Sequence, residues 1–388
     1  MKIQILIFVL IFGLGRIWLF GQAIPDVNSD PAWVLVPAMS DEFNTGTTFD
    51  NSKWTWTPGY TVAYPNNEYG TYSGSACYDN SSNVISIQSE SGTSFMRLSA
   101  KKISSSCEDG AGNTYVSQYM LGNLIGLTEQ QYGYFEIKVR ISNILPAPLT
   151  YSGISANAWL WRSWVPANGV WSEIDLAEIF PYPSNMHTCN VIYDPNEWDQ
   201  VWVGPPLNQY IPIPSQNNMR CPVGSTICNS GTAPTDFALS NGWHTYQAVW
   251  YPTGIAIYCD GRYINSTVLG CPGMEPLNWI FGLGTTEHQQ NISISSNTFL
   301  PFNMDIDYVR TYKLNSNCDN QVINSVGYNV NTYDGNHKKS INFGGIGGST
   351  SVTSGASIYM KATDYIQING EFVVPVGATF VADVLPCF

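Results

Sequence analysis

Trp171-Ser-Glu-Ile-Asp-Leu-Ala-Glu-Ile-Phe180 decides how the rest of the chain is read. It sets three carboxylates, Glu173, Asp175 and Glu178, among Ile174, Leu176, Ala177, Ile179 and Phe180. Branched and aromatic residues alternating with polar ones read as a strand. Successive strand side chains point to opposite faces. Glu173 and Asp175 then share one face, and Ile174 and Leu176 the other. Glu178 stands at an odd offset and would fall on the apolar face of a regular strand. One extra residue, a β-bulge at Leu176-Ala177, returns it to the acidic face.

On such a strand the two glutamate Cα atoms lie roughly 13 Å apart. Side chains leaning together close most of that gap. Carboxyl groups about 5–5.5 Å apart belong to retaining glycosidases, and groups about 6.5–9.5 Å apart to inverting ones. Asp175 lies between the two glutamates. The competing reading is an exposed acidic strand face or a calcium site. Like charges crowded on one small face repel, which is costly unless they are used.

The chain has 388 residues, 44% hydrophobic and 13% aromatic, enough for one large core and a small second domain. Only 12% are charged, whereas Tyr (23) and Trp (13) are abundant. The formal net charge of −13 excludes the counterion-release affinity of a nucleic-acid binder. It also disfavours anionic membranes.

Residues 1–23 read as a signal peptide: Lys2, an apolar run from Ile3 to Leu14, and the small-x-small site Gly21-Gln-Ala23. Cleavage after about Ala23 predicts a secreted protein, extracellular or periplasmic, with a mature charge of −15 once Lys2 and Arg16 are gone. No later run is long enough to span a membrane. A monomer is expected. Nine cysteines in an exported chain imply disulfides. Cys221 with Cys228 is the easiest local pair, and Cys77–Cys107 and Cys318–Cys387 are plausible. The odd count leaves a free thiol, with Cys189 as its candidate. No C-x-x-C or paired-histidine pattern supports zinc.

From Asp26 to about Leu314, short strands recur between Gly, Pro, Asn and Ser turns, without sustained helical periodicity. This is the pattern of an all-β sandwich or barrel. Expected strands include Phe95–Ala100, Tyr132–Ile141, Ala156–Arg162, Trp171–Phe180, His187–Tyr193, His244–Tyr251, Ile255–Cys259, Trp279–Leu283 and Phe302–Lys313. Asp260-Gly261 marks a two-residue hairpin turn. Glu136, Lys138 and Arg140 face away from Ile137 and Val139. Asn157, Trp159 and Trp161 face away from Ala158 and Leu160, and precede the acidic strand. Flat indole faces suit sugar rings, so Trp159 and Trp161 are expected to line a groove, whereas Trp243 and Trp250 are expected in the core. Asn315 to about Gly348 reads as a linker with irregular structure. Tyr365-Ile-Gln-Ile368 and Glu371-Phe-Val-Val374 flank Asn369-Gly370, a hairpin signal in a small C-terminal β module without chemistry of its own.

With these residues placed, the sequence resembles glycoside hydrolase family 16. The acidic strand Glu173-Ile-Asp-Leu-Ala-Glu178 matches the bulged form of that family's signature. Ser40-Asp-Glu-Phe-Asn44 with Lys53-Trp54, Asn66-Asn-Glu68, Tyr132-Gly-Tyr-Phe-Glu136 and Ala158-Trp-Leu160 follow the family's order. So do Trp243-His-Thr-Tyr246, Tyr258-Cys-Asp-Gly261 and the closing Asp305-Ile-Asp-Tyr-Val-Arg-Thr-Tyr312. Together they span nearly all of residues 30–313. The C-terminal segment is similar to a β-stack module at the ends of secreted bacterial proteins. The expected domains are 1–23 (signal peptide), 24–315 (catalytic) and 316–388 (linker and accessory β module).

The resemblance implies a jelly-roll β-sandwich with a concave cleft and retaining endo-hydrolysis of a β-linked polysaccharide. Carried onto this chain, Glu173 is the nucleophile, Glu178 the general acid and then base, and Asp175 holds Glu173. Trp159, Trp161, His187, Asn67 and Glu68 are candidate substrate contacts. No cofactor is implied for catalysis. Asp307 matches a position that often binds a structural calcium. The bulge favours agarase-, porphyranase-, carrageenase- or laminarinase-like members. Ser172, where laminarinase-like members more often carry Gly, favours an algal galactan, and Ala158 in place of an aromatic is expected to widen the cleft. Asn196–Asp236 is expected to wall the groove, and Arg162 and Arg220 are candidate sulfate contacts. The alternatives are a β-1,3-glucanase, a transglycosylase, and a non-catalytic β-glucan-binding protein on the same sandwich, which would have lost its acids.

Overall fold

A computed structural model describes residues 24–56, 76–108, 114–142, 153–161, 171–180, 186–194, 210–211, 221–222, 242–251, 254–267, 276–285, 300–315, 322–325 and 337–384. Asn67, Glu68, Arg162, Arg220, most of Asn196–Asp236, the leader and the cysteines at 228, 318 and 387 lie outside the described residues.

Two antiparallel sheets pack face to face as a jelly-roll sandwich. One runs in the order Arg262–Thr267, Gly254–Cys259, His244–Tyr251, Gly133–Ser142, Phe302–Leu314, Thr93–Lys101, Met120–Leu121, Cys77–Tyr78, the last pair being parallel. Trp33–Leu35 adds to Phe302–Leu314, and Ile85–Glu90 to Thr93–Lys101. The other runs Tyr210–Ile211, Met186–Asp194, Trp171–Phe180, Ile154–Trp161, Asn278–Thr285, Asn123–Gly126, Trp54–Thr55, with Cys221–Pro222 also on Met186–Asp194. The expected strands are present within about two residues, because their period-2 alternation leaves one apolar face each. Asp260 and Gly261 take the positive φ of 49° and 75° that a two-residue turn requires between Cys259 and its partner Arg262.

The inter-sheet core is built from those apolar faces. Ile137, Ala158, Leu160, Ile174, Trp250, Trp279, Phe281, Met304 and Ile306 are all buried in it. Trp279 from the acidic sheet donates Nε1–H to Thr311 Oγ1 of the opposite sheet at 2.8 Å. That bond satisfies a buried indole donor and ties the two layers together. Ala158, expected to widen the cleft, instead faces this core, opposite Ala177 on one side and Phe281 on the other. A small residue is needed there because the bulge presses an extra side chain inward.

The outer face of the first sheet is a charge–aromatic lattice. Asp305, wholly buried, accepts from Arg97 Nε at 2.7 Å and Arg140 Nε at 3.0 Å. Both guanidinium groups lie over Phe95, at 5.4 and 4.9 Å, and Arg140 also covers Trp243 at 4.7 Å. Trp243 therefore belongs to this outer lattice and not to the core, unlike Trp250. Asp307 occupies a register irregularity, since Lys138 pairs with Tyr308 and Val139 with Ile306. Its carboxylate meets Lys138 Nζ at 2.7 Å.

Val322–Ser325, Lys338–Ser351, Ser357–Val373 and Thr379–Val384 form a sheet of parallel strands in chain order. This corrects two expectations. The Gly-rich part of the supposed linker, up to Ser351, is strand. Asn369-Gly370 makes no hairpin: Tyr365 pairs with Ser340 and Glu371 with Ser349, so both flanks lie in one strand bent at Gly370, with φ of 85°. A tight turn cannot join parallel neighbours, and each strand takes its partner from about one lap of chain earlier.

Lys361 of this sheet forms a buried ion pair with Asp30, and Tyr359 Oη donates to Asp26 Oδ2 at 2.9 Å. Both acids lie in the segment leading into the sandwich. Burial holds the Asp383 carboxyl above the usual carboxylate range, opposed in part by Lys361. Cys259 is a buried thiol outside any disulfide, and Cys77 is disulfide-bonded. The side chain of Cys189, the expected free thiol, is not among those described. No helix among the described residues is long and apolar enough to cross a membrane.

Removing one partner of a buried pair leaves an uncompensated charge, at a cost of about 3–5 kcal/mol. Lys361→Ala is therefore expected to lower the unfolding free energy by about that much, and Asp30→Asn with Lys361→Met to recover most of it, in denaturant melts. Asp383 has its pKa raised on folding, so its contribution becomes unfavourable as pH rises from the unfolded carboxylate value through the folded one. Asp383→Asn should flatten that limb of the stability profile and leave stability at lower pH unchanged.

Candidate active site

The acidic strand runs between Ile154–Trp161 and Met186–Asp194. On the first side Trp161 pairs with Glu173, Trp159 with Asp175 and Asn157 with Glu178. On the second, Ile192 pairs with Glu173, Asn190 with Asp175 and Thr188 with Glu178. From Asp175 to Glu178 the acidic strand advances three residues while each neighbour advances two. The surplus residue is a β-bulge, and Leu176 and Ala177 within it are both buried in the core.

The bulge puts all three carboxylates on the face turned away from the core. Glu173 is 9% exposed, Asp175 2% and Glu178 7%. Cross-strand partners share a face, so Trp161, Trp159 and Asn157 line the floor beside them. The next strand continues that floor: Asn278 pairs with Trp161, Ile280 with Trp159, Gly282 with Asn157 and Gly284 with Ser155. Asn278 Nδ2 donates to the Gly126 carbonyl at 2.8 Å, fixing its amide. The Trp159 Nε1–H is buried without a hydrogen-bond acceptor, an open donor beside the acids.

Two glycines shape this floor for a steric reason. A Cβ on Gly282 would lie 2.7 Å from the Asn123 Cα and 2.9 Å from the Gly122 carbonyl oxygen. A Cβ on Gly284 would lie 2.9 Å from Asn157 Nδ2 and 3.2 Å from Ser155 Oγ. Side chains there would push the neighbouring strand aside or fill the floor next to Glu178.

His187 pairs with Ile179, a core position, and Thr188 takes the place across from Glu178. Ser155, Asn157 and Asn278 were not expected as site residues. Only Asn157 carried a signal in the sequence, its shared face with Trp159 and Trp161. Asn278 could be found only through pairing across more than a hundred residues.

No family model matches the sequence. Over 296 residues it is 26% identical to glucan endo-1,3-beta-glucosidase A1 of Niallia circulans, covering 70% of this chain and 37% of that protein. The chain thus spans little more than a third of that curated relative. The chain resembles glycoside hydrolases of family 16. Among solved structures it is similar to SCLam, a non-specific endo-beta-1,3(4)-glucanase from family GH16 (21% identity, 76% of this chain and 94% of that one, TM-score 0.49). It is also similar to LamAcat from Zobellia galactanivorans (19%, 72% and 97%, TM-score 0.46). A third is the beta-porphyranase BpGH16B of Bacteroides plebeius (17%, 72% and 91%, TM-score 0.46).

Ala177→Glu combined with Glu178→Ala would keep the acid in the strand but move it one residue, to a bulge position whose side chain faces the core. That variant should lose all detectable turnover and melt at lower temperature than the parent. Retention of parental turnover would mean that the bulge does not position Glu178.

Proposed function

We propose that this protein is a secreted retaining endo-glycoside hydrolase acting on a β-linked polysaccharide. The observation that carries the reading is the bulged strand, which gathers Glu173, Asp175 and Glu178, all buried, on one face beside two indoles. Carboxylates crowded in a dry site resist simultaneous ionisation, so one holds a proton while another is charged. That division is what double displacement requires. Glu173 attacks the anomeric carbon as the bond to the leaving oxygen breaks, and Glu178 gives its proton to that oxygen. Water then attacks the glycosyl-enzyme ester, Glu178 takes the water's proton, and Glu173 leaves as carboxylate. Asp175, between them, orients Glu173. Trp159 and Trp161 offer apolar faces to the sugar rings, and the reaction needs no cofactor.

The substrate we favour is an algal galactan of the agar or porphyran type. Ser172 before the first glutamate supports it, together with a floor that offers the polar side chains of Ser155, Asn157 and Asn278. A β-1,3-glucan is the second reading, favoured by the similarity to the Niallia circulans glucosidase. Reducing-end release on agarose, porphyran, carrageenan, laminarin and mixed-linkage glucan separates the two.

Glu173→Gln should abolish hydrolysis, by at least about a thousandfold, while thermal unfolding and polysaccharide retention in affinity gels stay as in the parent. Turnover near the parental rate would sink the mechanism. Proton NMR of the first products should show the β-anomer appearing before mutarotation. An initial α-anomer would refute retention.

A further inference from the structure

We propose that Asn157 is a positioning residue that holds the acid proton on Glu178, by accepting it in a hydrogen bond at Oδ1. The inference rests on the reading of Glu178 as the general acid. Asn157 stands directly across the strand pair from Glu178, on the same face. Such partners have Cβ atoms about 4.5–5.5 Å apart, within reach of two short polar side chains.

Three observations fix what the amide does there. Asn157 is 8% exposed, and its Oδ1 is buried without a hydrogen-bond donor. Its Nδ2 is committed to Ser155 Oγ at 3.1 Å. Gly284 leaves room for that arrangement, since a Cβ there would contact both Asn157 Nδ2 and Ser155 Oγ. The amide is thus anchored through its donor, with its acceptor open. An open buried acceptor is costly until it meets a donor. A carboxylate offers none, whereas a protonated carboxyl offers O–H.

A bond to the neutral form of an acid favours that form. Among the described residues, the titratable groups on the cleft face of its own strand are Glu173 and Asp175, whose negative charges also favour its protonated state. The cleft-facing positions of Ile154–Trp161 and Asn278–Thr285 are Ser155, Asn157, Trp159, Trp161, Asn278, Ile280, Gly282 and Gly284, none ionisable. On Met186–Asp194 the register partners are Thr188, Asn190 and Ile192, again without charge. The interior of the sandwich behind the bulge is apolar. Asn157 is therefore an uncharged group in this frame placed to act on the proton through a directed bond.

The test is a titration of the Glu178 side-chain carboxyl by 13C NMR. Glutamate is labelled at Cδ, and the resonance is assigned by its loss in Glu178→Gln. In Asn157→Leu, which keeps the volume and removes the acceptor, the midpoint should fall by about one pH unit. Asn157→Ser, smaller and polar, should give a fall of the same sign, so that misfolding of one variant leaves the other. The alkaline limb of kcat/KM should move down with the NMR midpoint, since that limb reports the acid of the free enzyme. An unchanged midpoint in a folded variant overturns the proposal. So does a rise, which would mean that Nδ2 faces a carboxylate. A uniform loss of kcat/KM at every pH with the limb in place also overturns it, assigning Asn157 to substrate binding alone. The NMR readout needs no turnover, so inactivity of the parent on every polysaccharide would defeat the hydrolase reading separately from the assignment of Asn157.

Discussion

One unpaired residue between Asp175 and Glu178 governs this molecule. A strand alternates its faces, so acids separated by an odd number of residues cannot share one without a bulge. The extra residue drives both Leu176 and Ala177 into the core. The inward side of the same sheet is crowded there, and on the neighbouring strand the small Ala158 stands across from Ala177. The acidic face and the small residue behind it are thus one solution seen from two sides.

The rest of the sandwich keeps that solution in place. Trp279 reaches across to Thr311 and fixes the spacing of the layers. Behind it, the lattice of Asp305, Arg97, Arg140, Phe95 and Trp243 stiffens the outer sheet. A buried carboxylate is tolerable there because two guanidinium groups meet it with directed bonds. On the cleft side Gly282 lets the segment Gly122–Asn123 approach closely, and Gly284 leaves room for the side chains of Asn157 and Ser155. The parallel sheet at the C-terminus docks through Lys361 on Asp30. That pair sits on the segment leading into the sandwich, whereas the acids lie on the face of the other sheet.

Much of this was legible in the residues. The odd offset of Glu178 announced the bulge, and the strict alternation of Asn157-Ala-Trp-Leu-Trp161 announced which residues share the acidic face. Local pattern sufficed because burial of one face punishes any slip in register. The same alternation puts Ala158 on the core face, so its expected effect on the cleft came from comparing residue types and not from the strand pattern. Asn369-Gly370 misled for a related reason. The dipeptide specifies a positive φ at Gly370, which the structure has, but not the partner of the strands around it.

By itself the sequence determined an all-β sandwich or barrel, its strands, and the odd offset that a bulge must absorb to set three acids on one face, since these follow from period-2 burial and local backbone chemistry. Only the tertiary structure decided which strands are neighbours. That step placed Thr188 and not His187 across from Glu178, brought Asn278, Gly282 and Gly284 to the floor, and set Asp307 against Lys138. Pairing across long stretches of chain depends on how whole apolar faces pack together, and no short stretch of sequence carries that information.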